Sequence, residues 1–184
     1  MKNALISAAA LVALASASAT VSASAQSAAP PTAAAPAARS GPAPRAAATP
    51  LALAIEAAQT AVATCEANGF KTAALVTDAD GATIVSLLGD GAGLRMNEMT
   101  GRKAAMTIRY KVASGVMADK ALTDPALDAE IKADPKIGLA RRGAIPVMLN
   151  GAQIGAIAVA GAPKSEDDEV CAKAGLAKIA ARLK

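Results

Sequence analysis

The strongest constraint on the fold is a turn signal near the C-terminal end of the chain. Asn150-Gly151 stands between two apolar runs, residues 144–149 and 153–160. Asn and Gly tolerate the positive φ values that a two-residue type I′ turn requires, so this pattern predicts a β-hairpin.

A second hairpin is predicted upstream. The apolar runs 71–77 and 82–88 flank the sequence Asp78-Ala79-Asp80-Gly81, which is rich in turn-forming residues. Asp78 and Asp80 also begin like a calcium-binding loop, but the third oxygen ligand and the distal Glu of such a loop are missing. We therefore expect only a turn here, and two hairpins that build one antiparallel sheet.

Helical signals surround the hairpins. Helices are predicted from Thr49-Pro50 to Gly69, from about Asn97 to Ser114, from Asp124-Pro125 to just before Pro135, and from Ser165 to Leu183. Thr49 is predicted to cap the first helix, and Ser165 with Asp168 resembles a capping box for the last one. The predicted fold class is α+β: an antiparallel sheet built from two β-hairpins, flanked by N-terminal, middle and C-terminal helices.

The first 49 residues do not fit this folded domain. Lys2, the apolar residues 4–15 and the small residues Ala23-Ser24-Ala25 together form a signal-peptide pattern with cleavage before Gln26. Serines interrupt the apolar run, so it is too short for a membrane-spanning helix. The prediction is a signal peptide over residues 1–25, and a periplasmic or secreted protein with no membrane span after cleavage.

Residues 26–49 are rich in Ala and Pro and nearly free of charge. Prolines exclude a helix interior, and alanines bury too little surface to offset the entropy of ordering the backbone. This segment is predicted to be a disordered linker, which leaves residues 50–184 as the folded domain.

Composition excludes several kinds of chemistry. The chain has no His and no Trp, one Tyr and one Phe, and a formal net charge of +4. A catalytic triad with His as base and a zinc site built from two cysteines are therefore excluded. The mild charge and the lack of aromatic stacking platforms also argue against a nucleic-acid partner.

Two cysteines, Cys65 and Cys171, lie in the predicted domain. In an oxidising compartment an even number of cysteines favours a disulfide. Two separate buried thiols packed as small hydrophobic groups are the alternative.

Two further clusters have structural explanations. The glycines at 89, 91 and 93 lack the G-x-G-x-x-G spacing of a dinucleotide-binding loop, so a tight turn is expected. Residues 166–169 are all acidic and begin the last predicted helix, where negative charge complements the helix dipole. No free metal ion is predicted.

One helix face combines groups that could bind a ligand. Met99, Lys103, Met106 and Tyr110 follow one another at spacings of four, three and four, which places them on one side of a helix, with Arg102 beside them. The face is either a core stripe from which Lys103 reaches solvent or the wall of a pocket. In a pocket, Met106 or Tyr110 would meet a cofactor and the cations would pair with an anion.

An ordered series of short motifs resembles the GlcG/HbpS family of small haem-binding domains. The motifs are Gly89-Asp90-Gly91-Ala92, Arg102-Lys103-Ala104, Ile145-Pro146-Val147, the run 154–163 (IGAIAVAGAP) and the run 168–175 (DEVCAKAG). The resemblance spans residues 51–183 and is most specific in the last two motifs. It implies a profilin-like sheet flanked by helices, a homo-oligomer, and haem or a related tetrapyrrole as ligand.

The resemblance and the basic, methionine-containing helix face together lead to the hypothesis that Arg102 and Lys103 pair with the haem propionates and that Met106 or Tyr110 lies at the iron, since thioether and phenol groups can both ligate it. The chain departs from the family in three places. Residues 158–161 read Ala-Val-Ala-Gly where Gly-Val-Ser-Gly is usual, Met106 stands where Thr is common, and no His is present.

The function predicted from the sequence is that of an exported, non-enzymatic binding protein for haem or a related tetrapyrrole, acting in sensing, sequestration or transport. One alternative is an enzyme or enzyme accessory in the oxidation of tetrapyrroles or small metabolites. Another is a structural or signalling oligomer that docks a membrane sensor.

Overall fold

The computed structural model describes residues 45–184. The predicted signal peptide and the predicted linker up to residue 44 lie outside the described residues. The last part of that linker, residues 45–49, contacts the domain, because the carbonyl of Ala47 accepts a hydrogen bond of 2.9 Å from the backbone N–H of Ala79.

Five helices and four strands form the described domain. In chain order they are α1 (Leu51–Glu66), β1 (Ala73–Asp78), β2 (Thr83–Leu88), α2 (Arg95–Tyr110), α3 (Ser114–Thr123), α4 (Pro125–Ala133), β3 (Ala144–Leu149), β4 (Ala152–Ala160) and α5 (Ser165–Ile179), followed by a short 3₁₀ helix (Ala180–Arg182). The strands form one sheet in the order β2-β1-β4-β3, and every pair is antiparallel. The predicted α+β fold with two hairpins is confirmed.

The two hairpins join through β1 and β4 in the centre of the sheet. Their register runs from Ala73 opposite Ala160 to Asp78 opposite Gly155. Every residue of β1 is buried, since helices cover both faces of the sheet.

The two faces of the sheet carry side chains of different size. Helices α1 and α5 cover the face with larger residues, such as Val76, Ile145 and Ile157. Helix α2 covers the other face, where β4 presents Ala156 and Ala158. Small side chains on this face allow α2 to lie close to the strands.

A disulfide links the helices on the first face. Cys65 of α1 and Cys171 of α5 are bonded, with their Cα atoms 5.7 Å apart, and both are buried. The helices approach closely beside the bridge, because a Cβ atom on Gly175 would lie 2.5 Å from the carbonyl oxygen of Ala57. The paired arrangement of the two cysteines is therefore confirmed, and the separate-thiol alternative is wrong.

Helix α1 differs in detail from its prediction. Pro50 precedes the first helical residue, and the buried Thr49 hydroxyl finds no hydrogen-bond partner in the described part of the chain, so Thr49 does not cap the helix. The buried face consists mainly of alanines, whereas Leu51 and Ile55 are exposed. Alanines fit here because α1 packs tightly against α5.

Helix α2 ends earlier than predicted, at Tyr110. Lys111 adopts a left-handed conformation with φ of 57° and stops the helix, although such a residue is usually Gly or Asn. A separate helix, α3, then begins at Ser114, whose buried hydroxyl accepts a hydrogen bond from the N–H of Ala144. The predicted cap of the next helix is confirmed, since the Asp124 carboxylate accepts from two N–H groups of α4.

The capping box predicted for α5 is wrong. Ser165 is the first helical residue and makes no side-chain cap, and the Asp168 carboxylate points into the protein. Helix α5 also ends at Ile179 instead of Leu183, and the 3₁₀ helix continues the chain.

The disulfide should carry a large share of the stability. Its cysteines are 106 positions apart, and the chain-entropy model gives about 4–5 kcal/mol for a loop of this size. We expect a loss of about that size in the free energy of unfolding when the bridge is reduced, and a similar loss in the variant Cys65→Ala/Cys171→Ala. Guanidinium unfolding followed by circular dichroism measures both, and a loss below about 1 kcal/mol would contradict this prediction.

Candidate ligand-binding cleft

A buried ion pair organises one end of the domain. The ammonium of Lys103 on α2 donates to the Asp168 carboxylate on α5 at 2.6 Å and to the carbonyl of Val159 at 2.9 Å. The other oxygen of Asp168 accepts from the N–H of Ala162 at 2.9 Å. These bonds connect α2, the end of β4 and the start of α5.

Both charged side chains of this pair are buried, with Lys103 3% and Asp168 2% exposed. Burial lowers the pKa of Lys103 and raises the pKa of Asp168, and the attraction between the two groups opposes both shifts. Gly143 makes room for the pair, because a Cβ atom there would lie 2.7 Å from the Lys103 nitrogen. A side chain at position 143 would therefore collide with both members of the pair and with the Val159 carbonyl.

Two adjoining hollows open beside the ion pair, and both are lined by Arg95, Met99, Lys103 and Arg141. The first, of about 230 Å³, extends over the turn after β4 and is also lined by Met96, Ala160, Gly161, Ala162, Pro163, Ser165 and Asp168. The second, of about 210 Å³, extends along α2 and is also lined by Glu98, Arg102, Gly138 and Leu139. We call the two together the methionine–arginine cleft.

The cleft carries positive charge that no carboxylate neutralises. Within residues 45–184, Arg95 and Arg141 form no ion pair, and both are exposed. Arg95 is also the first residue of α2, where the helix dipole is positive. The cleft therefore favours an anionic ligand.

The two predicted cations of the site already have partners. Arg102 pairs with Glu98 at 2.9 Å and donates to the carbonyl of Ile137 at 3.2 Å. Lys103 is held by Asp168. Both residues line the cleft, but neither charge is as free as those of Arg95 and Arg141.

The structure divides the predicted helix face between two environments. Met99 and Lys103 line the cleft, but Met106 is fully buried and packs with Met117, Ile131 and Ile137 beneath α3 and α4. Met106 thus follows the core interpretation and Met99 the pocket interpretation, but the prediction that Lys103 reaches solvent is wrong, because its ammonium is buried against Asp168. As an iron ligand, Met106 stays a sequence-based prediction that this packing disfavours.

Tyr110 also lies away from the cleft. Its hydroxyl donates to the Glu130 carboxylate at 2.9 Å, and the guanidinium of Arg109 lies 5.3 Å from the centre of its ring. Burial and this hydrogen bond raise the pKa of Tyr110, which disfavours the phenolate form that would ligate iron.

Sequence reasoning did not select Arg95, Met96 or Arg141. Arg95 follows the Gly-rich loop 89–93, and Arg141 begins the dibasic pair before Gly143. A basic residue next to a glycine turn is a weak signal, because only the fold shows whether a carboxylate neutralises it.

Two of the acidic residues at the start of α5 take part in ion pairs. Asp168 holds Lys103, and Glu169 pairs with Lys173 at 2.6 Å. Between residues 45 and 184, no three His, Cys, Asp or Glu side chains converge as a metal site would require. Over the same range, no helix has the length and apolar character needed to cross a membrane.

The structure is thus a small α+β domain with an open cleft beside a buried ion pair. The chain belongs to the HbpS-like family, described as haem degrading protein HbpS-like, whose model matches residues 50–177. This confirms the resemblance drawn from the motifs. The cleft is lined by several residues of the motifs that carry this resemblance, namely Lys103, Ala160–Pro163 and Asp168.

Solved structures support the same assignment. A double mutant of HbpS from Streptomyces reticuli is 35% identical, with a TM-score of 0.65, and the match covers 80% of this chain and 97% of that one. Klebsiella pneumoniae protein ORFY, of family DUF336, is 20% identical with a TM-score of 0.68, covering 76% and 95%. The crystal structure of the PduOC:heme complex is 20% identical with a TM-score of 0.64, covering 74% and 97%. The last two show likeness of fold alone, and no curated protein matches the sequence significantly.

The buried ion pair should behave as one unit. We expect Lys103→Met to lower the free energy of unfolding by about 3–5 kcal/mol, because Asp168 would remain buried without its cation. The variant Lys103→Met/Asp168→Asn should lose clearly less than the sum of the two single variants. A double-mutant cycle from urea unfolding at pH 7 measures this coupling.

The exposed pair Lys132–Asp128, at 2.6 Å on α4, provides a matched control for that cycle. Its coupling should be below about 1 kcal/mol, since solvent screens both charges. If the two cycles gave equal coupling, the Lys103–Asp168 pair would not have the structural role assigned to it.

Proposed function

We propose that this protein is an exported, non-enzymatic binding protein for haem or a related tetrapyrrole, acting in sensing, sequestration or transport. The haem-related description of its family and the haem complex of a structural neighbour support the ligand class. Export rests on the signal-peptide pattern of residues 1–25. The observation that carries the proposal is the cleft, where Met99 lies together with the unpaired Arg95 and Arg141.

The chemistry of the cleft fits a tetrapyrrole with acidic side chains. Arg95 and Arg141 offer guanidinium groups to two propionates, and guanidinium binds carboxylates in a bidentate manner. Met99 offers a thioether, which is an established type of haem ligand. Ala160 and Pro163 add apolar wall. Each hollow alone is smaller than the roughly 300 Å³ at which ligand pockets begin, but the two together reach that range.

Each residue of the cleft has its own role in this proposal. Arg95 and Arg141 would bind the carboxylates of the ligand, and Met99 would offer its thioether to the iron. Lys103 positions the walls, because its charge is already matched by Asp168. Arg102 can join the binding cations when it leaves Glu98, since it is about one-third exposed. Bound haem would supply an iron centre that changes oxidation state and accepts axial ligands.

Haem titration of the purified protein tests the proposal. We expect a saturable shift of the Soret band. The double variant Arg95→Gln/Arg141→Gln should weaken haem binding by at least about tenfold, since each substitution removes a charged hydrogen-bond donor. Met99→Leu should alter the Soret position at similar side-chain volume. Met148→Leu is the matched control, because Met148 is an exposed residue of β3 outside the cleft.

The same titration distinguishes the cleft from the ligands predicted by sequence. Met106→Leu and Tyr110→Phe should leave the spectrum unchanged if Met99 faces the iron. A spectrum that changes in either of these variants but not in Met99→Leu would contradict the placement. An unshifted Soret band in the unaltered protein at tens of micromolar would contradict haem binding itself.

Haem degradation is the second candidate, and the description of the family favours it. A binding protein returns its haem intact after incubation with ascorbate and oxygen, whereas a degrading protein loses Soret absorbance faster than free haem does. Extraction of the pigment and mass spectrometry separate the two outcomes.

A further inference from the structure

Gly101 lies at a position where neither the backbone nor the packing requires a glycine. It lies in the middle of the 16-residue helix α2, where Gly costs about 1 kcal/mol relative to Ala. Its φ is not positive, and a Cβ atom there would meet no heavy atom within 4 Å. Neither backbone conformation nor close packing therefore requires a glycine at this position.

The open space beside Gly101 belongs to a cavity of about 360 Å³, within the usual size range of ligand pockets. It lies between α2, the β1–β2 hairpin and the segment after α4. Apolar contacts come from Leu75, Ile108 and Ile137. The cavity shares no lining residue with the methionine–arginine cleft.

One of the cations at this cavity is already neutralised. Arg109 pairs with Asp134 at 2.5 Å and with Glu130 at 2.6 Å. Asp134 also accepts the backbone N–H of Lys136, and these bonds lower the pKa of Asp134, so it stays ionised beside Arg109. The guanidinium of Arg109 therefore has two carboxylates as partners and is not available to a ligand.

Two charges at the cavity remain free. Within residues 45–184, the side chains of Asp80 and Lys136 form no ion pair and no hydrogen bond. Asp80 is in the hairpin turn and Lys136 is in the segment after α4, so a carboxylate and an ammonium line different walls. The Thr77 hydroxyl, which accepts from the N–H of Ala156, still has its own hydrogen to donate.

We propose that this cavity binds a small zwitterion of dipeptide size. Its ammonium pairs with Asp80, its carboxylate pairs with Lys136, and its apolar body lies on Leu75 and Ile108. Gly101 keeps the space open at the cost of helix stability. The proposal is independent of haem binding, because the two sites have no residue in common.

Isothermal titration calorimetry with the dipeptide Ala-Leu tests this site on the full-length protein. We expect binding of Ala-Leu and at least about tenfold weaker binding of N-acetyl-Ala-Leu-amide, which has the same body without either charge. No heat of binding for Ala-Leu at millimolar concentration would overturn the proposal, and so would equal binding of the two probes.

A matched pair of variants at Gly101 locates the site. Gly101→Leu should abolish Ala-Leu binding by filling the cavity, while Gly101→Ala should retain it, and both should unfold at temperatures no lower than the unaltered protein. Unchanged binding in Gly101→Leu would overturn the proposal.

Asp80→Asn and Lys136→Gln, at exposed positions, should each weaken Ala-Leu binding about tenfold without affecting folding. Haem binding should stay constant in all four variants, so failure at one site is distinguishable from failure at the other.

Discussion

The ion pair between Lys103 and Asp168 is the interaction on which this end of the structure depends. Two charges removed from water are tolerated only when each finds its partner and its remaining hydrogen bonds. Here the backbone at Val159 and Ala162 completes the set, and Gly143 leaves the necessary space. The pair therefore fixes the end of β4, the start of α5 and the middle of α2 relative to one another, and the walls of the cleft follow from that arrangement.

The rest of the fold shows how a core is built almost without aromatic residues. The chain has one Phe and one Tyr, so helices gain contact by approaching closely over small side chains. Helix α2 lies over Ala156 and Ala158, and α5 presents Gly175 to Ala57. The disulfide adds covalent stability where these small residues bury little surface. Such a core also leaves open spaces beside α2, and both proposed sites lie there.

Much of the fold could be predicted because its signals are local. Asn150-Gly151 and the Asp78–Gly81 turn determine the two hairpins through backbone conformation alone. The errors arose where a distant residue competes with a local pattern. Asp168 has the spacing of a capping residue, but Lys103, 65 positions away, takes its carboxylate. Lys111 ends α2 in a conformation that its residue type rarely adopts.

The site was less predictable for the same reason. The spacing of Met99 and Met106 correctly predicts that both lie on one side of α2. It does not show that α3 and α4 cover Met106 and leave Met99 in the open cleft. Likewise, a sequence shows the positions of the arginines but not which of them form an ion pair with a carboxylate. Arg95 and Arg141 could therefore be identified only from the structure.

A crystal structure of the protein grown with haem tests the central claim most directly. The predicted result is a macrocycle in the methionine–arginine cleft, with its iron facing Met99 and its carboxylates at Arg95 and Arg141. A macrocycle bound elsewhere, for instance beside Gly101 or against Tyr110, would contradict the assignment of the cleft.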